Sequence, residues 1–286
     1  MEFGIQQLQL GKILNKESNA RTALKVMKES GFNLMELNGF MIRKSPFFVR
    51  LLTSAYGMPI KKSFKFDWKS LLKEYGLRVI SIHEDLETLE NNLDMVIKEC
   101  EDFDCHYVVV TGIYNYDYSS LKAVEELAIR LNKVGRNLKS HDISFLYHNH
   151  NVEFVHVDKF HLAYDILMED TDPTVVNFEF DPYWPSLSGV DALFYMKKLG
   201  KRIRLHHICD NGNLNQKKFL TPIIKTDEVE LGCGCLHLEA FLRQDLENDT
   251  EAVILEQHKN FTHKDPIESL ATSSEYLQNF RKAYIR

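Results

Sequence analysis

The sequence predicts an α/β fold: a single closed barrel of eight parallel strand-helix units, (β/α)8, with residues 1–286 as one domain. Three observations carry this expectation. Short apolar runs alternate with segments of helical period along the whole chain. No Pro/Gly/Ser-rich linker or shift in composition divides it. Units of about 35 residues consume the 286 residues almost completely, leaving only the stretches 40–66 and 210–230 as surplus. A doubly wound sheet is the structural rival, but nothing resembling G-x-G-x-x-G follows the first apolar run.

Phe3 to Leu8 reads as the first strand, and Ala20, Ala23, Leu24 and Met27 form a helical stripe that stops at Gly31, a natural C-terminal stop. Phe32 to Leu37 reads as the second strand. Trp68, Leu71 and Leu72 mark a helix ending at Gly76, and Val79 to His83 the third strand. Leu89 to Phe103 is read as one helix and His106 to Thr111 as the fourth strand. The next helix carries Leu121, Val124, Ala128, Leu131, Val134 and Leu138 at spacings of 3, 4, 3, 3 and 4, the period of one helical face. Ile143 to Tyr147, Thr174 to Phe180, Ile203 to Ile208 and Ala252 to Glu256 read as strands five to eight. The helices between and after them are expected around His161–Met168, Val190–Lys198, Leu236–Leu246 and Ile267–Ala283.

A chain with 44% hydrophobic and 27% charged residues is neither disordered nor a coiled coil. Its 35 basic against 41 acidic residues, net −6, argue against nucleic acid as the main partner, because phosphate binding wants a basic face. The N-terminus lacks a basic stretch leading into a long apolar run, and no window approaches the roughly 20 apolar residues of a membrane span. The expectation is a cytoplasmic protein without a membrane partner, and a homo-oligomer is among the assemblies left open. Five cysteines at irregular spacing (Cys100, Cys105, Cys209, Cys233, Cys235) fit free thiols better than a disulfide framework.

In a parallel barrel the loops at the carboxyl ends of the strands converge on one pocket. Those ends carry Glu36 and Asn38, His83 and Glu84, His148, Asn149 and His150, Asp181, His206, His207 and Asp210, and Glu256 and His258. Helix capping or solvated loops would account for one or two of these, less readily for the run over strands five to eight. Carboxylates and imidazoles from four strands form a mixed O/N donor set suited to Mn²⁺ first, with Mg²⁺, Co²⁺ or Zn²⁺ as alternatives. Without a cation, Asp181 and Glu256 would crowd their charges together and one would have to take up a proton.

At these positions the sequence resembles the sugar phosphate isomerase/epimerase family of xylose isomerase-like TIM barrels, which also holds ketose 3-epimerases, inosose dehydratase and endonuclease-IV-type barrels. The resemblance rests on Phe145-Leu-Tyr-His-Asn-His-Asn-Val-Glu-Phe154, Phe178-Glu-Phe-Asp-Pro-Tyr-Trp184 with Gly189-Val-Asp191, Arg204-Leu-His-His-Ile-Cys-Asp210, Leu231-Gly-Cys-Gly234 and Val253-Ile-Leu-Glu-Gln257. It implies Asp181, His207 and Glu256 as metal ligands. Most relatives end the fifth strand in glutamate; this chain resembles the His-Asn-His branch, which places His148 on the fourth ligand position, with His150 on the same side and Glu153 just beyond. Three departures bear on the substrate: Cys209 where relatives often have lysine, His258 where they often have aspartate, and Cys233 where an acidic residue is usual.

The implied activity is isomerisation or epimerisation of a keto-sugar or related small carbohydrate through an enediolate, or inosose-type dehydration through the same intermediate. Glu256 or His150 would act as base, His83 would bind a hydroxyl or relay a proton, and Glu36, Trp184 and Asp210 would contact substrate. Trp184 reads equally as a core residue or as a stacking face for a sugar ring. Two other classes stand against an isomerase. A DNA-repair nuclease would need more ligands and a basic surface; a non-catalytic binding barrel would need no metal. Cys233-x-Cys235-x-His237 lacks the usual spacing of a structural zinc site and reads as a loop. Asp210-Asn-Gly-Asn-Leu-Asn215 has its glycine third, too early for a calcium loop. The long stretch after strand two, with Phe47, Phe48, Tyr56, Lys61, Lys62 and Lys65, reads as either a lid or a packed surface excursion.

Overall fold

The computed structural model describes residues 1–11, 13–14, 16–44, 65–113, 116–213 and 227–285. Most of the stretch 40–66 that carries the lid expectation falls on residues 45–64, and most of the second surplus stretch on 214–226; both of these segments lie outside the described residues. The strands are β1 (Glu2–Gln6), β2 (Leu34–Asn38), β3 (Arg78–Glu84), β4 (Tyr107–Thr111), β5 (Ser144–His148), β6 (Val176–Phe180), β7 (Ile203–Ile208), the short pair β8 (Asp210–Asn211) and β9 (Glu228–Val229), and β10 (Ala252–Leu255). All but the short pair close into one parallel barrel in the order β1-β10-β7-β6-β5-β4-β3-β2. The helices are α1 (Glu17–Glu29), α2 (Gly39–Ile42), α3 (Trp68–Glu74), α4 (Leu86–Asn91), α5 (Leu93–Phe103), α6 (Leu121–Lys139), α7 (Ala163–Asp170), α8 (Tyr183–Leu187), α9 (Ala192–Leu199), α10 (Leu238–Asn248) and α11 (Pro266–Tyr284). None of them is long and apolar enough to cross a membrane.

Local chemistry sets the boundaries. Asp67, Asp85, Ser120, Asp191 and Asp265 each accept a backbone N–H of the first turn they precede. Gly31 follows α1 at φ +85°, a left-handed conformation that costs a residue with a Cβ. Three expectations need correction. The first strand stops at Gln6, whose side chain accepts the Leu8 N–H and turns 7–10 into a 3₁₀ helix. The helix expected over 89–103 is two helices that meet at Asn92 (φ −136°, ψ 36°). Leu121, expected on the buried stripe of α6, is 38% exposed, and Leu127 fills that face instead. Helix α8 is not among the expected elements; Pro182 sits at its N-cap, where a missing N–H costs nothing.

The large core lies between the barrel and its helices. A separate apolar cluster, Leu34, Ile80, Tyr107, Val109, Leu146, Leu205, Ala252 and Ile254, plugs the barrel interior. Side chains alternate along a strand, so the residue two places further on faces the same interior, one layer nearer the carboxyl end. From Leu34, Leu146, Leu205 and Ile254 those residues are Glu36, His148, His207 and Glu256. The site is the next layer of a barrel whose floor is apolar.

Candidate metal centre

Two tiers of ionisable groups stand on that floor. In the upper one, His148, Asp181, His207 and Glu256 each present a ligand atom within 4.8 Å of the others. In the lower one, His83, His148, Glu179 and His207 do the same, so both tiers share two imidazoles. Glu36 completes the lower tier: its Oε1 lies 2.6 Å from His207 Nε2 and 2.9 Å from His83 Nε2, and its Oε2 accepts from Ser81 Oγ. Glu179 Oε2 lies 2.8 Å from His83 Nε2, 3.1 Å from His148 Nδ1 and 3.1 Å from His207 Nε2. The other face of His207 turns upward, with Nδ1 2.9 Å from Glu256 Oε2. Glu256 Oε1 in turn lies 3.1 Å from His258 Nε2.

The electrostatics follow from burial against charge. Burial would raise the Glu36 carboxyl, but His83 and His207 outweigh it and hold it well below the usual range. Burial likewise works against charging His83, yet Glu36 and Glu179 bring its pKa up to about 10. Burial, with the Glu36 charge adding, pushes Glu179 up to about 7. Burial pushes Asp181 well above the ordinary carboxylate range, against the pull of His207 and with the Glu256 charge adding to the rise. In this way the two acids of the upper tier compete for ionisation. A divalent cation relieves that competition, and two carboxylates with two imidazoles form a donor set that suits one. The residues fit the group.

Each expected site residue has a definite place. His148, Asp181, His207 and Glu256 come together. Glu153, the other candidate from the fifth-strand loop, turns its oxygens to the Tyr147 hydroxyl (2.8 Å) and the His150 backbone N–H (2.9 Å). His150 stacks edge-on with His148 (centroids 5.1 Å) and Trp184 (4.9 Å), while Trp184 itself is buried in a small apolar cluster with Tyr183 and Cys209, as its core reading expects. His83 and Glu36 lie in the lower tier, beneath the expected ligands. Asp210 is committed elsewhere: its carboxylate accepts from the backbone N–H groups of Asn211, Gly232, Gly234 and Leu236 and shapes the glycine turn. His206 faces outward to Asp245 on α10.

Reading strand ends alone missed Glu179, Ser81 and Asn149's role. Glu179 stands two residues before Asp181, and the alternation that places Asp181 inward places Glu179 there too. Asn149 exchanges two hydrogen bonds with the Asp181 backbone, 2.9 Å to its carbonyl and 3.1 Å from its N–H, extending the β5–β6 pairing past His148 with a side-chain amide.

Glu153 yields a test of this description. Burial pushes its carboxyl up to about 7 from an ordinary 4.5. The folded state therefore holds that proton more tightly than the unfolded chain; the stabilisation is fully present below about 4.5 and lost as pH rises through about 7. Glu153→Gln is expected to remove on the order of 3 kcal/mol of pH-dependent stability between pH 4.5 and 8, measured as the difference in urea midpoints between variant and parent. Parallel pH profiles for the two proteins would refute it.

The model of the xylose isomerase-like TIM barrel family matches residues 24–280. The chain belongs to this family. Among curated proteins, an inosose dehydratase from Clostridium beijerinckii is 27% identical over 225 residues, covering 76% of this chain and 67% of its own. An inosose dehydratase from Clostridium perfringens is 26% identical over 270 residues, covering 92% and 80%. Among solved structures, a sugar phosphate isomerase/epimerase from Parabacteroides distasonis superposes with a TM-score of 0.73 at 21% identity, covering 97% of each chain. The zinc-bound IolI protein superposes at 0.69 and 13% identity, covering 100% of this chain and 99% of its own. These superpositions establish the xylose isomerase-like fold of the barrel. The expected family and fold are thereby both found.

Proposed function

We propose that the protein is a metal-dependent enzyme that removes a proton α to the carbonyl of a small polyhydroxylated ketone, a keto-cyclitol or keto-sugar, and that loss of a β-hydroxyl follows. The observation that carries this reading is the upper tier: four convergent donors, one of them an ionised and largely buried carboxylate, Glu256. A divalent metal held by His148, Asp181, His207 and Glu256, Mn²⁺ or Zn²⁺ by donor type, would supply a Lewis acid for the carbonyl and a neighbouring hydroxyl. The protein's own groups do the rest. Glu256 accepts the α-proton, and the C–H electron pair becomes the C=C of an enediolate. His150 lies against Trp184 at the pocket wall, where burial holds its pKa down to about 4 and leaves a neutral imidazole. In elimination the enediolate electron pair expels the β-hydroxyl, which takes the proton collected by Glu256 and leaves as water.

The curated relatives named inosose dehydratase favour elimination. Relocation of the proton, as in an isomerase or epimerase, is the second reading, favoured by a neutral His150 as a further proton carrier beside Glu256. Incubation with Mn²⁺ in deuterated water separates the two. A keto-cyclitol is expected to take up deuterium at the α-carbon and to lose water with a rise in ultraviolet absorbance; a ketohexose serves as the isomerisation substrate. Exchange without water loss favours the second reading, and no exchange into either compound overturns both.

A further inference from the structure

The two tiers share His148 and His207, and His207 faces a different partner with each ring nitrogen. His207 points Nε2 down at Glu36 Oε1 (2.6 Å) and Nδ1 up at Glu256 Oε2 (2.9 Å). His148 points Nδ1 down at Glu179 Oε2 (3.1 Å), which leaves Nε2 as its other nitrogen. A neutral imidazole carries one proton: the nitrogen that donates to a carboxylate is not the nitrogen that offers a lone pair. Cations in both tiers at once would need both rings stripped of both protons. The lower carboxylates therefore work as hydrogen-bond acceptors, and the upper tier as the cation site.

We propose that Glu36 and Glu179 are positioning residues that fix the tautomer and ring orientation of the two histidines, His207 with its proton on Nε2 and His148 with its proton on Nδ1, so that His207 Nδ1 and His148 Nε2 face the metal. This inference rests on the reading of the upper tier as a metal centre. His83 holds the two acids at their spacing, since its Nε2 contacts both Glu36 and Glu179. Ser81 fixes the second oxygen of Glu36, whereas Glu179 Oε1 is buried with no hydrogen-bond partner among the described residues. Glu36 is thus held from three sides and sets His207 firmly; Glu179 serves three imidazoles with one oxygen. Glutamine at either place preserves volume but offers a weaker acceptor and an amide that can turn its NH₂ toward the ring, which would favour the wrong tautomer.

The test uses the full-length protein, with Mn²⁺ affinity read from the loss of the free-ion electron paramagnetic resonance signal. Glu36→Gln is expected to weaken Mn²⁺ binding by about 10–100-fold, the usual penalty for losing a partner of a metal-bound histidine, and Glu179→Gln to weaken it by a factor in the same range. A residue that mattered only for folding would lower Tm and leave the affinity of the folded protein unchanged. Equal Mn²⁺ affinity in parent and variants overturns the inference; a parent that takes up no Mn²⁺ overturns the metal reading beneath it. Nitrogen-15 spectra of the unsubstituted, Zn²⁺-loaded protein test the tautomers without any variant. Protons on His207 Nε2 and His148 Nδ1 are expected, and the opposite assignment on His207 refutes the proposal.

Discussion

Glu256→Gln is expected to lower turnover by about 10³-fold at saturating metal, within the 10²–10⁴ typical of losing a general base. Burial would raise the pKa of this carboxyl, but in the metal-free chain His207 and His258 outweigh it and hold it well below the ordinary range; with a cation bound, the cation's charge would keep it ionised in place of a proton on His207. Its oxygens lie 2.9 Å from His207 Nδ1 and 3.1 Å from His258 Nε2, so it is oriented from two sides. Glutamine keeps the shape and one acceptor oxygen but takes up no proton. The variant also loses a charged donor, and the two effects separate by titration: a defect in metal binding alone is restored by excess Mn²⁺, and a missing base is not. Turnover within tenfold of the parent under saturating Mn²⁺ would remove Glu256 from the role of base. If His150→Gln shows the larger fall in the same assay, His150 holds that role.

The barrel was legible in the sequence because its signals are local and repeated. Apolar strand runs, Gly31 after a helical stripe and the face of α6 each arise from neighbours in the chain. The upper tier was legible for a related reason: in a parallel barrel, carboxyl ends of strands meet whatever their separation in sequence, so listing strand ends brings His148, Asp181, His207 and Glu256 into one set. The lower tier was only partly legible: Glu36 and His83 stand among the strand ends, but Glu179 lies inside its strand and Ser81 comes inward through the irregular β2–β3 register near Met35 and Glu36. Depth in the barrel depends on strand stagger, which the sequence of a single strand does not carry. Asp210 misled for the opposite reason. It follows the seventh strand directly, but the glycine turn 22–26 residues later folds back and claims its carboxylate.

Asp181 and Asp210 therefore make a paired experiment, with opposite outcomes expected from two buried aspartates. At a free metal concentration of about 100 times Kd, a single bound ion stabilises the folded protein by about 2.7 kcal/mol. For a chain of this size that amounts to a rise in Tm of roughly 5–10 °C. Asp181→Ala is expected to abolish that rise, because Asp181 supplies one of the four donors and the remaining three include two imidazoles already tied to the lower tier. The metal-free variant should stay close to the parent in Tm. It loses one hydrogen bond, from Tyr183 N–H to Asp181 Oδ1 at 2.9 Å, and sheds a carboxyl that burial disfavours in its charged form. Asp210→Ala should do the reverse. Its carboxylate satisfies four backbone N–H groups of the glycine turn, so removal loosens that turn and lowers Tm with or without metal, while the metal-induced rise persists in the folded protein. A full metal-induced rise in Asp181→Ala would exclude Asp181 as a ligand. Loss of the rise in Asp210→Ala, with its fold intact, would instead bring Asp210 back to the site from which the geometry removes it.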